Sequence, residues 1–386
     1  MRLILTLMVL FPAIHAGFGQ TLPKKTVNNS LSKKTKDRID SLFRDVDLST
    51  PGYAIGISKG TSILYTKGYG AADLDFGIPI TPRSSFQIAS VSKQFTAACI
   101  ALLIMDNKLT LETPAGKFIP ELNKYADTIR IKHLVYNTSG IIDYFKLPRP
   151  CGKSWISFNY FDIDECIRTS LGPDTLAFKP GDRWDYCNTN FMLLARIVEK
   201  ISGKPFSEFV RERIFEPLGM RQSLVDDDVT AVIPNRVTPY SVRNAENVEA
   251  YRKSGIAVSS KGKYMQHPRT SPHYGGSGVQ TTVIDLEKWA INFTTRSFGG
   301  RKFFDLMHTR LKFNHPKDNQ AFGLYFGHHE GRTTVAWDGG DAGISSQLIR
   351  FPDQGIAIVV LSNNGSGHAD MKASDIADLL IADGYL

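Results

Sequence analysis

The sequence predicts an α+β fold (α/β in looser use), in which an antiparallel sheet is flanked by helices and carries an inserted helical region. Apolar residues alternate in strand-like fashion near the N-terminus, at 53–57 and 63–65, and again in short runs beyond residue 320. Between these regions the apolar residues recur mainly at helical spacing. Because strands from both ends of the chain must share one sheet, the helices between them are expected to form an insertion.

The elements can be justified in chain order. Residues 39–46 fit one helical face, and the turn at Lys59-Gly60-Thr61 joins two alternating runs into a hairpin. Helices are predicted at 95–105, 191–201 (ended by Gly203), 206–215 and 283–293. Strands are predicted at 322–326, 333–337, 345–351 and 356–361, followed by an amphipathic terminal helix.

The first 19 residues resemble a secretion signal. Arg2 precedes an apolar run over 3–11, and small residues suited to a cleavage site follow. The run is too short to span a membrane. We therefore expect an exported protein, periplasmic or extracellular, with a signal peptide at 1–19, a linker at 20–36 and one domain at 37–386. Export permits disulfides, and Cys151 with Cys166 is the preferred pair among the four cysteines.

Composition excludes several classes of function. The chain has 386 residues, of which 42% are hydrophobic and 22% charged, as is typical of globular proteins. The net charge of +8 is spread along the chain, without the basic and aromatic clusters of a nucleic-acid groove. The nine His are scattered, and phosphate-binding or dinucleotide motifs are absent from the sequence. We therefore predict neither a metal nor a cofactor, no nucleic-acid partner and no stable membrane insertion.

Two kinds of nucleophile motif compete. Ser58 lies in a Gly-x-Ser-x-Gly pattern, but that motif needs a strand, a sharp turn and then a helix, whereas Ser58 ends a strand of a hairpin. The Ser-x-x-Lys pattern occurs three times, at Ser30/Lys33, Ser90/Lys93 and Ser260/Lys263. Only Ser90 opens a long apolar helix, so the pair Ser90 and Lys93 is the candidate.

The helix start makes this pair chemically plausible. Residues i and i+3 share a helix face, so the Lys93 amine can lie against Ser90 Oγ, and backbone N–H groups can stabilise a developing oxyanion. The alternative is that Ser90 is a helix N-cap and Lys93 is solvated. Against that alternative, a lysine in the first turn is disfavoured by the helix dipole.

Further motifs follow in a fixed order along the chain. They occupy 86–93, 133–140, 178–181, 186–188 (Tyr-Cys-Asn), 217–220, 275–282 and 361–363. This ordered set closely resembles the serine β-lactamase-like and penicillin-binding-protein-like family, which includes class C β-lactamases, D-Ala-D-Ala carboxypeptidases, esterases and D-aminopeptidases. The resemblance covers nearly the whole chain after about residue 38.

The resemblance implies a role for each matching residue. Ser90 matches the acylated nucleophile, Lys93 its helix partner, Tyr186 the phenol that shuttles protons and Asn188 the amide that positions the substrate. A nearby cation would favour the phenolate of Tyr186. Taken alone, Tyr186 and Asn188 also fit a packing aromatic residue and a helix N-cap.

The third family motif departs from the pattern. Where relatives have Lys or His followed by Thr, Ser or Gly and then Gly, this chain has Trp337, Asp338, Gly339 and Gly340. We expect these four residues to bind the substrate, with Trp337 as a flat apolar wall and the Gly340 N–H, by resemblance, completing an oxyanion hole. Without the cation, a carboxylate on the substrate loses its charge-assisted partner.

Together these features predict an exported serine hydrolase that cleaves an ester or amide through an acyl-enzyme. Its partner would be a small-molecule or peptide substrate, with association to the cell envelope. The alternative is a catalytically silent family member that binds cell-wall peptides or a protein partner in the same cleft. The retained Ser90, Lys93 and Tyr186 favour the enzyme, whereas the missing cation favours the silent binder.

Overall fold

A computed structural model of the protein describes residues 30–155, 159–268, 271–311 and 319–386. The predicted signal peptide at 1–19 lies outside the described residues. Within the described ranges, no helix combines the length and the apolar character that a membrane crossing needs.

Ten α-helices and thirteen strands are named here in chain order. The helices are α1 (Lys33–Ser41), α2 (Lys93–Met105), α3 (Ile131–Val135), α4 (Ile163–Leu171), α5 (Asn188–Ser202), α6 (Phe206–Val210), α7 (Ala245–Lys253), α8 (Val283–Thr295), α9 (Gly300–Met307) and α10 (Ala369–Ala382). The strands are β1 (Tyr53–Lys59), β2 (Ser62–Tyr69), β3 (Ala71–Asp73), β4 (Ile78–Pro79), β5 (Phe86–Gln87), β6 (Leu224–Val225), β7 (Tyr240–Val242), β8 (Tyr264–Gln266), β9 (Val279–Thr281), β10 (Tyr325–His329), β11 (Arg332–Asp341), β12 (Ile344–Phe351) and β13 (Ile356–Ser362).

The main sheet joins the two ends of the chain, as predicted. Its six strands lie in the order β10-β11-β12-β13-β1-β2, and every neighbouring pair is antiparallel. Strand β1 of the N-terminal hairpin pairs with β13, with Ile57 opposite Ile358. The helices between β2 and β10 therefore form an insertion, which confirms the predicted α+β class.

The two faces of this sheet pack against different layers. Side chains alternate between the two faces along each strand, so every second residue of a strand packs against the same layer. Ile55 and Ile358 are buried in one cluster with α10, whereas Leu348 and Val359 belong to the larger core with Trp289 of α8. Helix α10 packs over β12 and β13, and α8 packs over β1 and β13.

Helix α2 lies at the centre of the helical region. It is apolar on all sides, as expected of a helix surrounded by protein, and it contacts α5, α6 and α9. Phe95 near its start packs against Trp289 and Phe215, with ring centroids 4.7 and 5.3 Å apart. The start of α2 therefore packs against α8 and against the helical turn Arg211–Phe215 that follows α6.

Several boundaries differ from the sequence-based expectation. The predicted linker at 20–36 overlaps α1, because Ser32 caps that helix and Leu31 is buried against the sheet; residues 20–29 lie outside the described ranges. Phe322 is buried before the first C-terminal strand rather than in it, since β10 begins at Tyr325. Gly203 does end α5, with φ of +68°.

The predicted disulfide between Cys151 and Cys166 is wrong. All four cysteines lie within the described residues and carry free thiols. Cys166 is buried in α4, whereas Cys151 is exposed in the preceding loop.

The packing of α10 gives a direct test of the fold. Ile376→Ala should lower the free energy of unfolding by about 2–5 kcal/mol, because the side chain is fully buried and its loss leaves a cavity. Met371→Ala on the same helix, where the side chain is 59% exposed, is the matched control and should change it by less than about 0.5 kcal/mol. Equal urea denaturation midpoints for the two variants would contradict this packing.

Candidate active site

Ser90 lies in a tight turn that leads into α2. The 3-10 turn Ala89–Ser92 begins immediately after β5, and Ala89 has a φ of +43°, a backbone conformation that L-residues rarely adopt. Hydrogen bonds fix the turn on both sides, since Ile88 N donates to Val279 O (3.0 Å) and Ile88 O accepts from Ser346 Oγ (2.8 Å). The nucleophile candidate is therefore clamped between β9 and β12.

The Ser90 side chain faces other functional groups. Its Oγ accepts a hydrogen bond from Lys93 Nζ at 3.1 Å. It also forms a hydrogen bond of 2.6 Å with Tyr186 OH, in which either hydroxyl can be the donor. The cap position of this turn is Ile88, which has no side-chain cap bond. The N-cap of α2 is Ser92, so Ser90 caps neither the turn nor the helix.

Lys93 is the most deeply buried charged group in this cluster. Its side chain has no exposed surface, and Nζ donates to Ser90 Oγ, to Asn188 Oδ1 (2.8 Å) and to the Gly276 carbonyl (2.6 Å). Burial lowers the pKa of Lys93 to about 7, although the Asp143 carboxylate acts in the opposite direction. Near neutral pH a large fraction of the amine is therefore unprotonated and able to accept a proton from Ser90.

Tyr186 is placed to donate a proton. Burial raises the pKa of its phenol well above the usual value, while the hydrogen bond between Tyr186 and Ser90 partly opposes that shift. Lys93 Nζ lies 4.8 Å from the ring centroid, yet the expected phenolate is not favoured because burial and nearby carboxylates outweigh the cation. Of the two groups, Lys93 is therefore the one that can accept a proton near neutral pH, whereas Tyr186 keeps its own.

Asp143 positions Asn188 and was not recognised from the sequence. Its carboxylate accepts hydrogen bonds from the backbone N–H groups of Asn188 and Phe145, the latter at 3.0 Å, and the residue is only 4% exposed. Asn188 begins α5, so Asp143 orients the residue whose amide oxygen holds Lys93. The signal in the sequence was an acid three residues after Gly140, at a position that also fits an ordinary cap.

Strand β11 brings the third motif beside the nucleophile. A Cβ added to Gly339 would lie 2.4 Å from Ser346 Oγ, 2.5 Å from Ile88 O and 3.0 Å from Ser90 N. Only glycine therefore allows the strand to approach this closely. The neighbouring Gly340 lines the cleft, and a Cβ there would meet nothing within 4 Å.

Trp337 occupies a different place from the one expected. Its side chain points to the inner face of the sheet, is 3% exposed and stacks on Tyr325 with ring centroids 4.4 Å apart. It is not among the residues that line the cleft at Ser90. Because Trp337 and Gly339 share one face of β11, the indole packs into the core behind the site, so the expected exposed apolar wall is absent from the described cleft.

The cleft itself is acidic. It has a volume of about 300 Å³ and is lined by Ala89, Ser90, Tyr144, Phe145, Tyr186, Asn188, Met192, His273, Gly276, Ser277, Asp338, Gly340 and Asp341. Neither Arg nor Lys occurs among these lining residues, and both Asp338 and Asp341 are exposed. Within the described ranges no group of His, Cys, Asp and Glu side chains is arranged to hold a metal ion.

Comparison with known proteins identifies a family model and several relatives of the chain. A family model described as Beta-lactamase matches residues 37–383. The chain is 31% identical to a D-aminopeptidase of Gluconobacter oxydans over 182 residues, which is 47% of this chain and 34% of the relative. It is 27% identical to a penicillin-binding protein of Bacillus subtilis over 315 residues, covering 79% of this chain and 66% of the relative. The chain thus spans between one third and two thirds of the length of these relatives.

Solved structures share the fold. The D-amino acid amidase of Ochrobactrum anthropi SV3, complexed with L-phenylalanine, superposes with a TM-score of 0.74 at 22% identity, over 92% of this chain and all of the other. The octameric penicillin-binding protein homologue from Pyrococcus abyssi gives a TM-score of 0.73 at 24% identity, over 91% of this chain and 77% of the other.

The contact between β11 and the nucleophile turn can be tested with two neighbouring glycines. Gly339→Ala should destabilise the protein by about 1–3 kcal/mol and slow the labelling of Ser90 by a fluorophosphonate, because the new methyl group forces strand and turn apart. Gly340→Ala is the matched control, with an expected change in stability below about 1 kcal/mol. Equal loss of stability in the two variants, measured by thermal melts, would refute the proposed contact.

Proposed function

Because the chain belongs to the beta-lactamase family, we propose that it is a serine hydrolase in which Ser90 becomes acylated by an ester or amide substrate. The observation that carries this proposal is the contact of Ser90 Oγ with both the buried amine of Lys93 and the phenol of Tyr186. A serine hydroxyl is a weak nucleophile at neutral pH and needs an adjacent base of this kind.

The arrangement supports a division of labour in acylation. Neutral Lys93 takes the proton of Ser90 while Oγ attacks the substrate carbonyl carbon. The backbone N–H groups of Ser90 and Gly340 are proposed to stabilise the oxyanion. Tyr186 then gives its proton to the leaving group and regains one from Lys93, and water releases the acyl group by the reverse sequence.

The charge of the cleft restricts the substrate. Asp338 and Asp341 repel a carboxylate next to the scissile bond, and the lining offers no Arg or Lys to bind it. An uncharged group avoids this repulsion, and an ammonium group is attracted by the two carboxylates. We therefore propose a neutral or amine-bearing ester or amide as substrate, and the relative named D-aminopeptidase and the neighbour named D-amino acid amidase are consistent with an amine-bearing one.

Export to the cell envelope remains part of the proposal. It rests on the signal-like residues 1–19, which lie outside the described ranges. The alternative is a silent protein that binds wall peptides or a partner in this cleft. Binding alone does not require a desolvated amine against Ser90.

The pKa of Lys93 predicts the pH dependence of acylation. The rate at which a fluorophosphonate labels Ser90 should rise with pH through a midpoint near 7, because only the unprotonated amine accepts the serine proton. Lys93→Ala should lower the rate at least ~10²-fold and remove this midpoint. Lys108→Ala, at an exposed position outside the cleft, is the control and should keep the wild-type profile.

Mass spectrometry of the labelled protein separates the two functions. An adduct on Ser90 supports the hydrolase, whereas an unlabelled Ser90 in folded protein would favour the silent binder. Labelling of Ser58 instead would overturn the assignment of the nucleophile.

The acidic cleft predicts a charge preference. An amino acid amide or a short neutral ester should have a higher kcat/KM than an analogue with a carboxylate beside the scissile bond. Asp341→Asn should reduce the difference in activation free energy between the two substrates, calculated from their kcat/KM ratio, by roughly 0.5–1 kcal/mol, as expected of an exposed charge. Asp305→Asn, remote from the cleft, should leave the ratio unchanged, and faster cleavage of the carboxylate analogue by the wild type would contradict the charge argument.

A further inference from the structure

A second cavity lies between α8, α9 and the main sheet. It has a volume of about 380 Å³, within the range of small-molecule sites. Most of its wall is apolar, formed by Ala290, Phe293, Phe304, Phe326, Val335, Phe351, Pro352, Ile356 and Ala357. The exposed residues Thr294 and Arg296 lie at its rim, so the cavity opens to the surface there.

The sheet supplies one row of residues to the cavity floor. Register places Val335 opposite Arg350, Arg350 opposite Ala357, and Ala357 opposite Ser58. Directly opposed residues of antiparallel strands point to the same face. Arg350 therefore projects into the cavity from the centre of an apolar row.

Arg350 is buried without a counter-charge. It is 5% exposed, and its Nε and Nη2 atoms are buried with no hydrogen-bond partner among the described residues. Its guanidinium lies 3.8 Å from the ring centroid of Phe293, and burial lowers the pKa of Arg350 to about 9, which still leaves it charged at neutral pH. An unpaired buried guanidinium is costly, and natural proteins normally satisfy such a group.

The nearest buried acid on α8 does not supply the missing charge. Glu287 is fully buried against Gly56 and Ser58 of β1, and Ser58 belongs to the sheet row that holds Arg350. Ser58 lies two strands away from Arg350 in that row, which corresponds to roughly 10 Å between backbone positions. Burial also raises the pKa of Glu287 to about 8, so this carboxyl is mostly protonated at neutral pH.

We propose that this cavity is a binding site for a monocarboxylate with an apolar body, whose carboxylate pairs with the Arg350 guanidinium. A planar guanidinium matches a carboxylate with two parallel hydrogen bonds, and Nε and Nη2 are the pair of donors that this geometry uses. The phenylalanine and aliphatic walls receive the body of the ligand. Arg296 at the rim adds a second positive charge, and neither Asp nor Glu occurs among the lining residues.

The site is separate from the catalytic cleft. The two cavities share none of their lining residues. Arg350 lies four residues along β12 from Ser346, which contacts the nucleophile turn, and this spacing corresponds to about 13 Å. A ligand at Arg350 can therefore bind while Ser90 is occupied.

Calorimetric titration with octanoate tests the proposal directly. Octanoate, octanol and octylammonium, each kept below aggregating concentrations, have the same apolar body and differ in the charge of the head group. The wild type should bind octanoate at least about tenfold more tightly than the other two, as expected for a charge-assisted pair. Protein already labelled at Ser90 by a fluorophosphonate should bind octanoate equally well.

Variants test whether the Arg350 guanidinium supplies the binding free energy for octanoate. Arg350→Met should weaken octanoate binding at least about tenfold without lowering Tm, because it replaces an unpaired buried cation with an apolar side chain. Arg301→Met, whose arginine side chain is 83% exposed on α9, is the control for a general loss of positive charge and should bind as the wild type does. If Arg350→Met does not fold, the three head groups still decide the question on the wild type.

Several results would overturn the proposal. They are equal affinity for octanoate and octanol, unchanged octanoate binding in Arg350→Met, and loss of binding when Ser90 is labelled. The absence of any heat or Tm shift with octanoate on the wild type would do the same.

Discussion

The burial of one lysine amine constrains the whole catalytic region. Lys93 has no exposed surface, so its amine depends on protein groups for every hydrogen bond it makes. These groups come from the start of α2, the start of α5 and the Gly275-Gly276 turn, which are far apart in sequence. The Gly275 turn must pack very closely, because a Cβ there would lie 2.5 Å from Phe191 O. Satisfying the hydrogen bonds of Lys93 thus requires that three segments meet, and Ser90 lies where they do.

The same burial also separates an acid from a base. Desolvation shifts the pKa of Lys93 downward and that of Tyr186 upward, since each shift favours the neutral form. Two groups whose unperturbed pKa values nearly coincide are thereby assigned opposite roles near neutral pH. Asp143 limits the shift at Lys93 while it holds α5 in place, so a positioning residue also takes part in setting the base strength.

Sequence reasoning succeeded where the pattern is local or where several motifs occur in order. The main-sheet strands and the long helices follow from apolar spacing, and Gly203 marks the end of α5 through its positive φ. Spacing alone placed Lys93 on the face of Ser90. The motif order suggested Tyr186, but nothing in its own neighbourhood distinguishes it from a packing aromatic residue.

What escaped prediction depends on contacts between distant segments. The direction of Trp337 depends on which face of β11 meets the core, and a single-residue change of register would reverse it. Asp143 looked like an ordinary loop acid because its partner, the N–H of Asn188, is 45 residues away. Arg350 gave no signal, since a charged residue in an amphipathic strand is usually assumed to face water.

The pairing of β1 with β13 has a consequence for how the chain folds. The two strands that complete the sheet are separated by almost 300 residues, so β1 has no partner along one edge until the last strand has been synthesised. The entropy cost of closing a loop rises only slowly with the length of the loop. The pairing nevertheless makes the topology rich in contacts between distant residues, and such topologies fold slowly. During this delay the exposed edge of β1 is open to pairing with other chains. An architecture that brings the nucleophile turn against β12 thus leaves the newly made chain vulnerable to aggregation before its C-terminal strands arrive.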